Sequence, residues 1–229
     1  MAGTDAFEAS NVGPGRLPSA PLPPDTASYI GANLPLVPVP SRPDIRLHLA
    51  TPSSGLSRQL GNAVPPYWAF CWSGGLALAR YLADRPDCVS GLRVLDFGSG
   101  SGLVAIAAAK AGARSVLAAE IDPNGAVAIG MNAAANGVVV DILRTDLIAA
   151  PIPDVDLVLA GDTFYSASLA RLATGFFDRC LDKGLRVLVG DPGRDHLPLD
   201  RLRELARYDV ADFGFGGMSS TSAAVYEFG

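Results

Sequence analysis

The chain has 229 residues, of which 49% are hydrophobic and 18% are charged, so it is long enough to fold as one domain with a sizeable core. Its formal net charge of −5, without a local basic patch, argues against a nucleic-acid partner. No apolar run approaches the about 20 residues of a membrane-spanning helix, so we expect no membrane partner.

Cysteine and histidine usage argues against two kinds of site. Cys71, Cys88 and Cys180 are odd in number and widely spaced, which predicts neither a disulfide framework nor a zinc site. His48 and His196 have no ligand at metal-binding spacing, so we expect no metal. The first residues lack an apolar signal segment and an arginine-rich transit pattern. We therefore expect a cytoplasmic protein, and we expect it to be a monomer.

In chain order, residues 1–28 are rich in Pro, Gly, Ala and Ser, which predicts a flexible N-terminal arm. Alternating apolar residues and prolines between 36 and 50 predict a short extended hairpin. This hairpin belongs to an N-terminal segment, residues 29–72, that ends in a Trp-rich lead-in. Residues 73–229 are expected to form the main domain.

Helical and strand patterns alternate through the main domain. We predict helices at 75–84, 103–111, 125–135 and 169–181, and strands at 93–97, 115–120, 138–143, 155–160, 185–190, 208–213 and 223–228. The strands include continuous apolar runs such as VDLVLA and LRVLVG, which are typical of parallel strands covered by helices on both faces. A Gly/Ser-rich loop joins the last two strands, which makes the last one antiparallel. The pattern predicts a Rossmann-like α/β fold with a seven-stranded, mostly parallel sheet flanked by helices.

The first strand of the main domain runs into a glycine-rich turn. Asp96 precedes glycines at 98, 100 and 102, and an alanine-rich helix follows. Glycines at alternate positions let a ligand approach the backbone closely. A dinucleotide site needs a glycine where Leu103 stands, whereas GxGxG after an acidic residue is typical of S-adenosylmethionine sites. A tight turn without a ligand is the alternative.

Two more acidic residues follow the next strands. Glu120 ends the second strand, where this architecture places a carboxylate against ribose hydroxyls; the alternative is a solvated strand-end glutamate. Asp146 follows the third strand, where it would accept a hydrogen bond from the adenine amine while the Leu147 amide meets a ring nitrogen. Asp146 equally fits a helix or turn cap. The series of strand ends favours the ligand role.

The fourth strand ends in GDTFY. Because open α/β sheets bind ligands at the carboxyl ends of their strands, Asp162 and Tyr165 are expected to face the reacting methyl group. The alternatives are an aspartate that caps the helix from Ser166 onward and a tyrosine packed in the core. Trp72, beside Gly74, is placed to cover a sulfonium by cation–π attraction, although such aromatic clusters are more often core.

Five elements in this order resemble one family. The elements are PPYWAFCWSGG, LDFGSGSG, EIDP, GDTFY and GDPGR, and the likeness runs from about residue 40 to the C-terminus. They resemble the electron-transfer-flavoprotein β-subunit lysine methyltransferases, which share the class I methyltransferase fold and a D-x-x-Y signature. The chain departs from that pattern at Ser73, where a proline is usual, and at Ser166, where an acidic residue often follows the tyrosine.

The resemblance implies an S-adenosylmethionine-dependent protein lysine N-methyltransferase that acts on the electron transfer flavoprotein β subunit and releases S-adenosylhomocysteine. The candidate cofactor-binding residues are Trp72, Asp96, Gly98, Ser99, Gly100, Gly102, Glu120, Ile121, Asp146, Leu147 and Gly161. The candidate substrate-binding residues are Trp68, Asp162, Tyr165 and Arg194, and the candidate catalytic residues are Asp162 and Tyr165. The role of Arg194 does not follow from the sequence.

Other functions share parts of this pattern. A small-molecule methyltransferase for nicotinamide-like amines would share the whole cofactor half. A nucleic-acid methyltransferase would need an Asn- or Asp-Pro-Pro-Tyr at the fourth strand to hold a flipped base, whereas the Pro-Pro-Tyr here lies upstream and follows Val64. A Ser-His-Asp hydrolase lacks its GxSxG elbow. A cofactor-binding module without catalysis is the remaining alternative.

Overall fold

A computed structural model describes residues 25–60, 65–212 and 219–229. The chain begins with helix α1 (Thr26–Asn33), capped by the Asp25 carboxylate, which accepts from the Ala27 and Ser28 amides. The predicted arm was therefore too long, because this cap starts a helix inside it; residues 1–24 lie outside the described residues.

The predicted hairpin follows. It consists of strands β1 (Leu36–Val39) and β2 (Arg42–His48), which pair antiparallel. A short helix, α2 (Leu56–Leu60), comes next, and one 3-10 turn, Tyr67–Ala69, carries the Trp-rich segment. This N-terminal part packs on the main domain, since Ile30 of α1 is fully buried in one cluster with Ala128 of that domain.

The main domain is built on a seven-stranded sheet. Its strands are β3 (Arg93–Phe97), β4 (Ser115–Ala119), β5 (Asp141–Leu143), β6 (Leu157–Gly161), β7 (Arg186–Asp191), β8 (Leu202–Asp212) and β9 (Ser219–Phe228). The spatial order is β5-β4-β3-β6-β7-β9-β8. Strands β3 to β7 pair in parallel, and β9 is antiparallel to both its neighbours. The predicted fold class is confirmed.

Helices cover both faces of the sheet. They are α3 (Ser73–Asp84), α4 (Leu103–Lys110), α5 (Pro123–Ala135) and α6 (Ala167–Asp182). Alternate residues of β3 enter opposite cores: Val94 packs with α3, α4 and α5, while Leu95 packs with α6 and its buried Phe176 and Phe177. Burial on both faces explains why these strands are continuous apolar runs. No helix in the described ranges is long and apolar enough to span a membrane.

Three strand starts differ from the prediction by three or more residues, and one of them is β9, which begins at Ser219 rather than at residue 223. Strand β5 is shorter than predicted and covers only its last residues, Asp141–Leu143. Strand β8 begins at Leu202, earlier than the predicted residue 208, and position 213 of that prediction lies outside the described residues. The early part of β8 is at the sheet edge, where its Arg207 pairs with Glu204 in solvent. Charged side chains therefore replace the apolar run by which strands are recognised.

Candidate active site

A cleft of about 270 Å³ lies at the carboxyl ends of the central strands. It is lined by Pro65, Tyr67, Trp68, Trp72, Phe97, Gly98, Gly100, Ala119, Glu120, Ile121, Asp122, Thr145, Asp146, Leu147, Ile148, Gly161, Asp162, Thr163, Tyr165, Leu169, Leu172 and Arg194. Twelve of the predicted site residues are in this set, and three, Asp96, Ser99 and Gly102, are not. The sheet therefore brings together chain segments that are far apart in the sequence.

The glycine-rich turn forms one wall. Gly98, Gly100 and Gly102 have φ values of 68°, 55° and 82°, a left-handed conformation that favours glycine. Among the described residues, a Cβ atom at Gly98 or Gly100 would meet no heavy atom closer than 3.9 Å, which is an ordinary van der Waals distance. At Gly102 a Cβ atom would instead lie 3.3 Å from Ile129 of α5. Gly102 therefore serves helix packing, whereas the first two glycines leave room for a ligand.

Asp96 stabilises the glycine-rich turn by hydrogen bonds. It is 1% exposed, and its Oδ2 accepts from the Ser99 hydroxyl at 2.5 Å and from the Ala105 amide at 3.0 Å. Burial raises the pKa of Asp96 to about 6, and its two hydrogen bonds oppose that rise. Asp96 and Ser99 thus fix the backbone that faces the cleft, and neither is in its lining.

Glu120 supplies a carboxylate on the same wall. Its two oxygens accept from the Gly100 amide and from the Asp122 amide, each at 2.9 Å. Burial raises the pKa of Glu120 to about 7, and the amide hydrogen bonds act in the opposite direction. A Cβ atom at Gly125 would lie 2.8 Å from the Glu120 Cγ and 3.1 Å from the Trp68 Cβ. Gly125 therefore makes the space in which both side chains pack.

Asp146 fits both of its predicted roles. Its carboxylate accepts from the Ile148 amide at 2.9 Å, which is a turn cap, and the residue also lines the cleft. The following residue, Leu147, is buried, and its carbonyl accepts from Arg179 of α6 at 2.8 Å. The loop after β5 is thereby fixed against the cleft.

Aromatic side chains form the opposite wall. The rings of Tyr67 and Tyr165 stack with centroids 5.3 Å apart, and the ring of Trp72 lies 5.7 Å from that of Tyr67. The Trp72 indole also donates to the Tyr67 carbonyl at 2.8 Å. Trp68, predicted to contact the substrate, is also in the cleft lining and lies by Gly125 and Glu120 on the glycine-turn side. Tyr67 and Trp68 lie on one 3-10 turn, which sends adjacent side chains in different directions.

Asp162 lies between α3 and the loop after β7. Its φ of 58° is left-handed, and its Oδ2 accepts from the Gly75 amide at 2.7 Å. Its Oδ1 accepts from Arg194 at 2.6 Å. The alternative of a cap for α6 is wrong, because Ser166 caps that helix by accepting from the Leu169 amide. Burial raises the pKa of Asp162, and the Arg194 guanidinium opposes the rise.

The GDPGR element places Arg194. Asp191 is fully buried, and its Oδ1 accepts from the Gly193 and Arg194 amides at 2.8 Å each, which closes a tight turn. Gly193 takes the left-handed φ of 91° that this turn requires. A Cβ atom at Gly190 would lie 2.1 Å from the Gly74 carbonyl oxygen, so the start of α3 contacts β7 backbone to backbone.

Sequence reasoning missed several lining residues. Thr163 lies in the lining between the two candidate catalytic positions, and its buried Oγ1 has no hydrogen-bond partner among the described residues. Leu169 and Leu172, from α6, were predicted only as helix residues. Asp122, which follows Glu120 by two positions, was passed over although it lies at the same strand end. Proximity to a strand's carboxyl end is the signal that would have found it.

These residues fit a sulfur nucleoside. Gly98 and Gly100 line the cleft without side chains and so admit a ligand close to the backbone, and Glu120 lies on the cleft wall with two oxygens that accept hydrogen bonds. The ring of Trp72 lies in the same lining, where a cation is favoured. Within the described ranges, no group of three or more His, Cys, Asp or Glu side chains is placed to hold a metal ion.

The sheet order and the site at its strand tips define the class I methyltransferase fold. The structure of a ribosomal protein L11 methylase from Lactobacillus delbrueckii subsp. bulgaricus matches with a TM-score of 0.51 and 26% identity, covering 69% of this chain and 80% of that one. A family model described as ribosomal protein L11 methyltransferase (PrmA) matches residues 81–173.

Two sequence relatives are more similar still. The electron transfer flavoprotein beta subunit lysine methyltransferase of Xenopus laevis is 42% identical over 182 residues, which are 76% of this chain and 74% of that protein. The protein of the same name from Rattus norvegicus is 38% identical over 81% of this chain and 77% of its own length. The chain belongs to the electron transfer flavoprotein beta subunit lysine methyltransferase family, and it is a methyltransferase.

Proposed function

We propose that the protein is an S-adenosylmethionine-dependent lysine N-methyltransferase whose substrate is the β subunit of electron transfer flavoprotein. The relatives from Xenopus laevis and Rattus norvegicus carry this substrate in their names. One observation carries the proposal. Asp162 and Tyr165 line the same cleft as Gly98, Gly100 and Glu120. An amine bound at the first pair and a methyl donor bound at the other three residues would therefore meet in this cleft.

The cofactor would be held by residues from three strand ends. Glu120 would accept from the ribose hydroxyls, Asp146 and Leu147 would face the adenine, and the glycine turn would lie against the amino acid end. When bound, S-adenosylmethionine supplies an electrophilic methyl group on a positively charged sulfur. Trp72 offers the face of an indole ring, which favours a neighbouring cation.

The protein's main task is to position the amine. Holding a nucleophile in line with the bond that it attacks contributes several kcal/mol, up to about 7–11 in the best intramolecular systems. Asp162 binds the amine and orients it, and the Tyr165 hydroxyl accepts an amine N–H. The amine must be neutral to react, although a free lysine has a pKa near 10.4. Removal of water from the cleft favours the neutral form, and the proton leaves to bulk water.

Methyl transfer to purified electron transfer flavoprotein tests this proposal. The protein, labelled cofactor and the flavoprotein are incubated together, and the label is located by mass spectrometry. We expect label on lysine side chains of the β subunit and none on nicotinamide-like amines tested in parallel. Label on those small amines alone would contradict the protein substrate and leave the enzyme class intact.

The variant Asp162→Ala separates binding from transfer. Because Asp162 contacts the amine rather than the nucleoside, the variant is expected to bind S-adenosylhomocysteine with unchanged affinity. Loss of orientation is expected to slow transfer by about 100-fold or more. Full turnover by Asp162→Ala would remove Asp162 from the mechanism.

A further inference from the structure

The carboxylate that would receive the lysine is already paired with a cation. Arg194 donates to the Asp162 Oδ1 at 2.6 Å, and the Gly75 amide donates to the Oδ2 at 2.7 Å. The Asp162 side chain is 9% exposed, and Arg194 lines the same cleft. Both oxygens are thus engaged by donors, and the carboxylate faces the cleft in a fixed orientation with its charge offset.

Arg194 is also held by a second carboxylate, that of Asp191. The same nitrogen of Arg194, Nη1, also donates to the Asp191 Oδ2 at 3.2 Å. Asp191 is fully buried, and its other oxygen holds the turn that carries Arg194. One guanidinium therefore joins two buried carboxylates, one in the cleft wall and one behind it. Such a contact holds both partners in one geometry.

Among the described residues, Arg194 is the cation in contact with Asp162. The other groups near Asp162 are the carboxylate of Asp191, the Cys71 thiol, the Gly75 amide at the start of α3, and Tyr165. Burial raises the pKa of the Cys71 thiol, and the charge of Asp162 adds to the rise, so the thiol stays neutral. Removal of the Arg194 charge would leave Asp162 facing the cleft without a compensating cation.

An uncompensated carboxylate would work against methyl transfer. It would stabilise a lysine as ammonium, which has no lone pair, whereas the reaction needs the neutral amine. The Arg194 guanidinium beside Asp162 favours the neutral amine in two ways. It offsets the carboxylate charge, and it repels an ammonium. We propose that Arg194 is a positioning residue for methyl transfer, which holds Asp162 and offsets its charge so that the lysine amine binds there in its neutral form.

This inference rests on the proposed function and adds a step to it. The lysine ammonium gives one proton to water. Its freed lone pair then forms the nitrogen–carbon bond, while the electron pair of the broken carbon–sulfur bond stays on sulfur. Arg194 does not touch the reacting atoms; it sets the pH at which the first event occurs. The rate should therefore rise with pH, and Arg194 should fix the position of that rise.

The test is the pH profile of kcat, measured between pH 6 and 10 on electron transfer flavoprotein. In Arg194→Met the rise is expected to move to higher pH by about 1–3 units, the effect of one charge at contact distance. This corresponds to a loss of about 10- to 1000-fold below the wild-type rise, with recovery at high pH. Arg194→Gln keeps an N–H donor without the charge and should show the same move; Arg194→Lys should restore most of the wild-type profile.

Controls separate this role from a structural one. Arg201→Met removes another partly buried arginine, 34% exposed against 22% for Arg194, which donates to Asp178 at 2.7 Å and to the Gly229 carbonyl at 2.8 Å. It lies outside the cleft lining, so its profile should match that of the wild type. All the Arg194 variants should bind S-adenosylhomocysteine within about threefold of wild type, because Arg194 faces the amine. A loss that is equal at every pH in Arg194→Met and Arg194→Gln would overturn the inference. Failure of the wild type to methylate the flavoprotein would instead overturn the proposed function and the inference with it.

Discussion

Glu120 shows how a buried carboxylate is held in the wall of the cleft. Both its oxygens accept backbone amides, one of them from Gly100 in the glycine turn. Burial nevertheless raises its pKa to about 7. The folded-state pKa is above the ordinary value of 4.5, so the stability that this residue contributes is fully present below pH 4.5 and is lost as pH rises through about 7. The charge on which the proposed ribose contact depends thus destabilises the protein.

Glu120→Gln tests that trade-off. As the pH increases from 5 to 8, the melting temperature of the variant minus that of the wild type should rise by a few degrees. About 1 kcal/mol corresponds to roughly 2–4 °C in a domain of this size. Affinity for S-adenosylhomocysteine should fall by about 10-fold or more, because hydrogen bonds to a charged group contribute about 1.5–3 kcal/mol. In wild type the affinity should also fall as pH drops from 8 to 6, and in the variant it should not.

The solvent-exposed Glu204, paired with Arg207 at the sheet edge, supplies the control. Glu204→Gln is expected to change neither measurement, since exposed pairs contribute about 0–1 kcal/mol. A melting difference between Glu120→Gln and wild type that does not vary with pH would contradict the role given to the buried charge.

At the residue scale, the sequence predicts strand-end groups well and their partners poorly. Glu120 and Asp162 were identified because a carboxylate after a buried strand must lie at the ligand-binding edge. The partners of Asp162 are 87 positions away at Gly75 and 32 positions away at Arg194. Local patterns carry no information about such pairs, because the sheet alone brings them together.

Between elements, the contact of α3 with the sheet decides where Asp162 lies. A Cβ atom at Gly74 would lie 2.2 Å from the Gly190 carbonyl oxygen and 2.8 Å from the Asp162 Oδ2. A Cβ atom at Gly161 would lie 3.0 Å from the Gly75 Cα. Glycines on both sides therefore let the start of this helix approach β6 and β7 and donate its amide to the active-site carboxylate.

Gly74→Ala should separate the helix from the sheet. Overpacking of this kind typically costs about 1–3 kcal/mol, so the melting temperature should fall by several degrees. Methyl transfer should fall further than stability alone explains, because a shift of the helix weakens the hydrogen bond from its Gly75 amide that orients Asp162. The matched control is Gly175→Ala in α6, where a Cβ atom has no neighbour within 4 Å. That change should leave the protein as stable or more stable by about 0.5–1 kcal/mol. Equal melting temperatures for the two variants would contradict the close contact.

Element prediction succeeded where burial is two-sided and failed at the margins. The strands from β3 to β7 and the helices between them were identified, because continuous apolar runs alternate with helical patterns along the chain. Helix α1 was missed, since its eight residues include only one buried position, Ile30. The start of β8 was missed because this strand is the last in the sheet order of the described residues and carries charge.

At the scale of the whole molecule, α5 connects the N-terminal segment to the glycine turn of the candidate active site. Asn132 is fully buried; its side chain accepts from the His48 amide of β2 at 2.8 Å and donates to the Ser101 carbonyl of the glycine turn at 2.8 Å. Ile30 of α1 packs in one cluster with Trp68 of the cleft lining. These contacts join the N-terminal segment to the main domain.

Calorimetric titration of the wild-type protein with S-adenosylhomocysteine tests the central claim, that the strand-tip cleft holds the sulfur nucleoside. The account predicts a saturable heat with one site per chain, and a melting temperature that rises with ligand, since about 2.7 kcal/mol is gained at 100 times the Kd. Asp162→Ala should give the same titration curve. Absence of both the heat and the melting shift in the wild type would contradict the account.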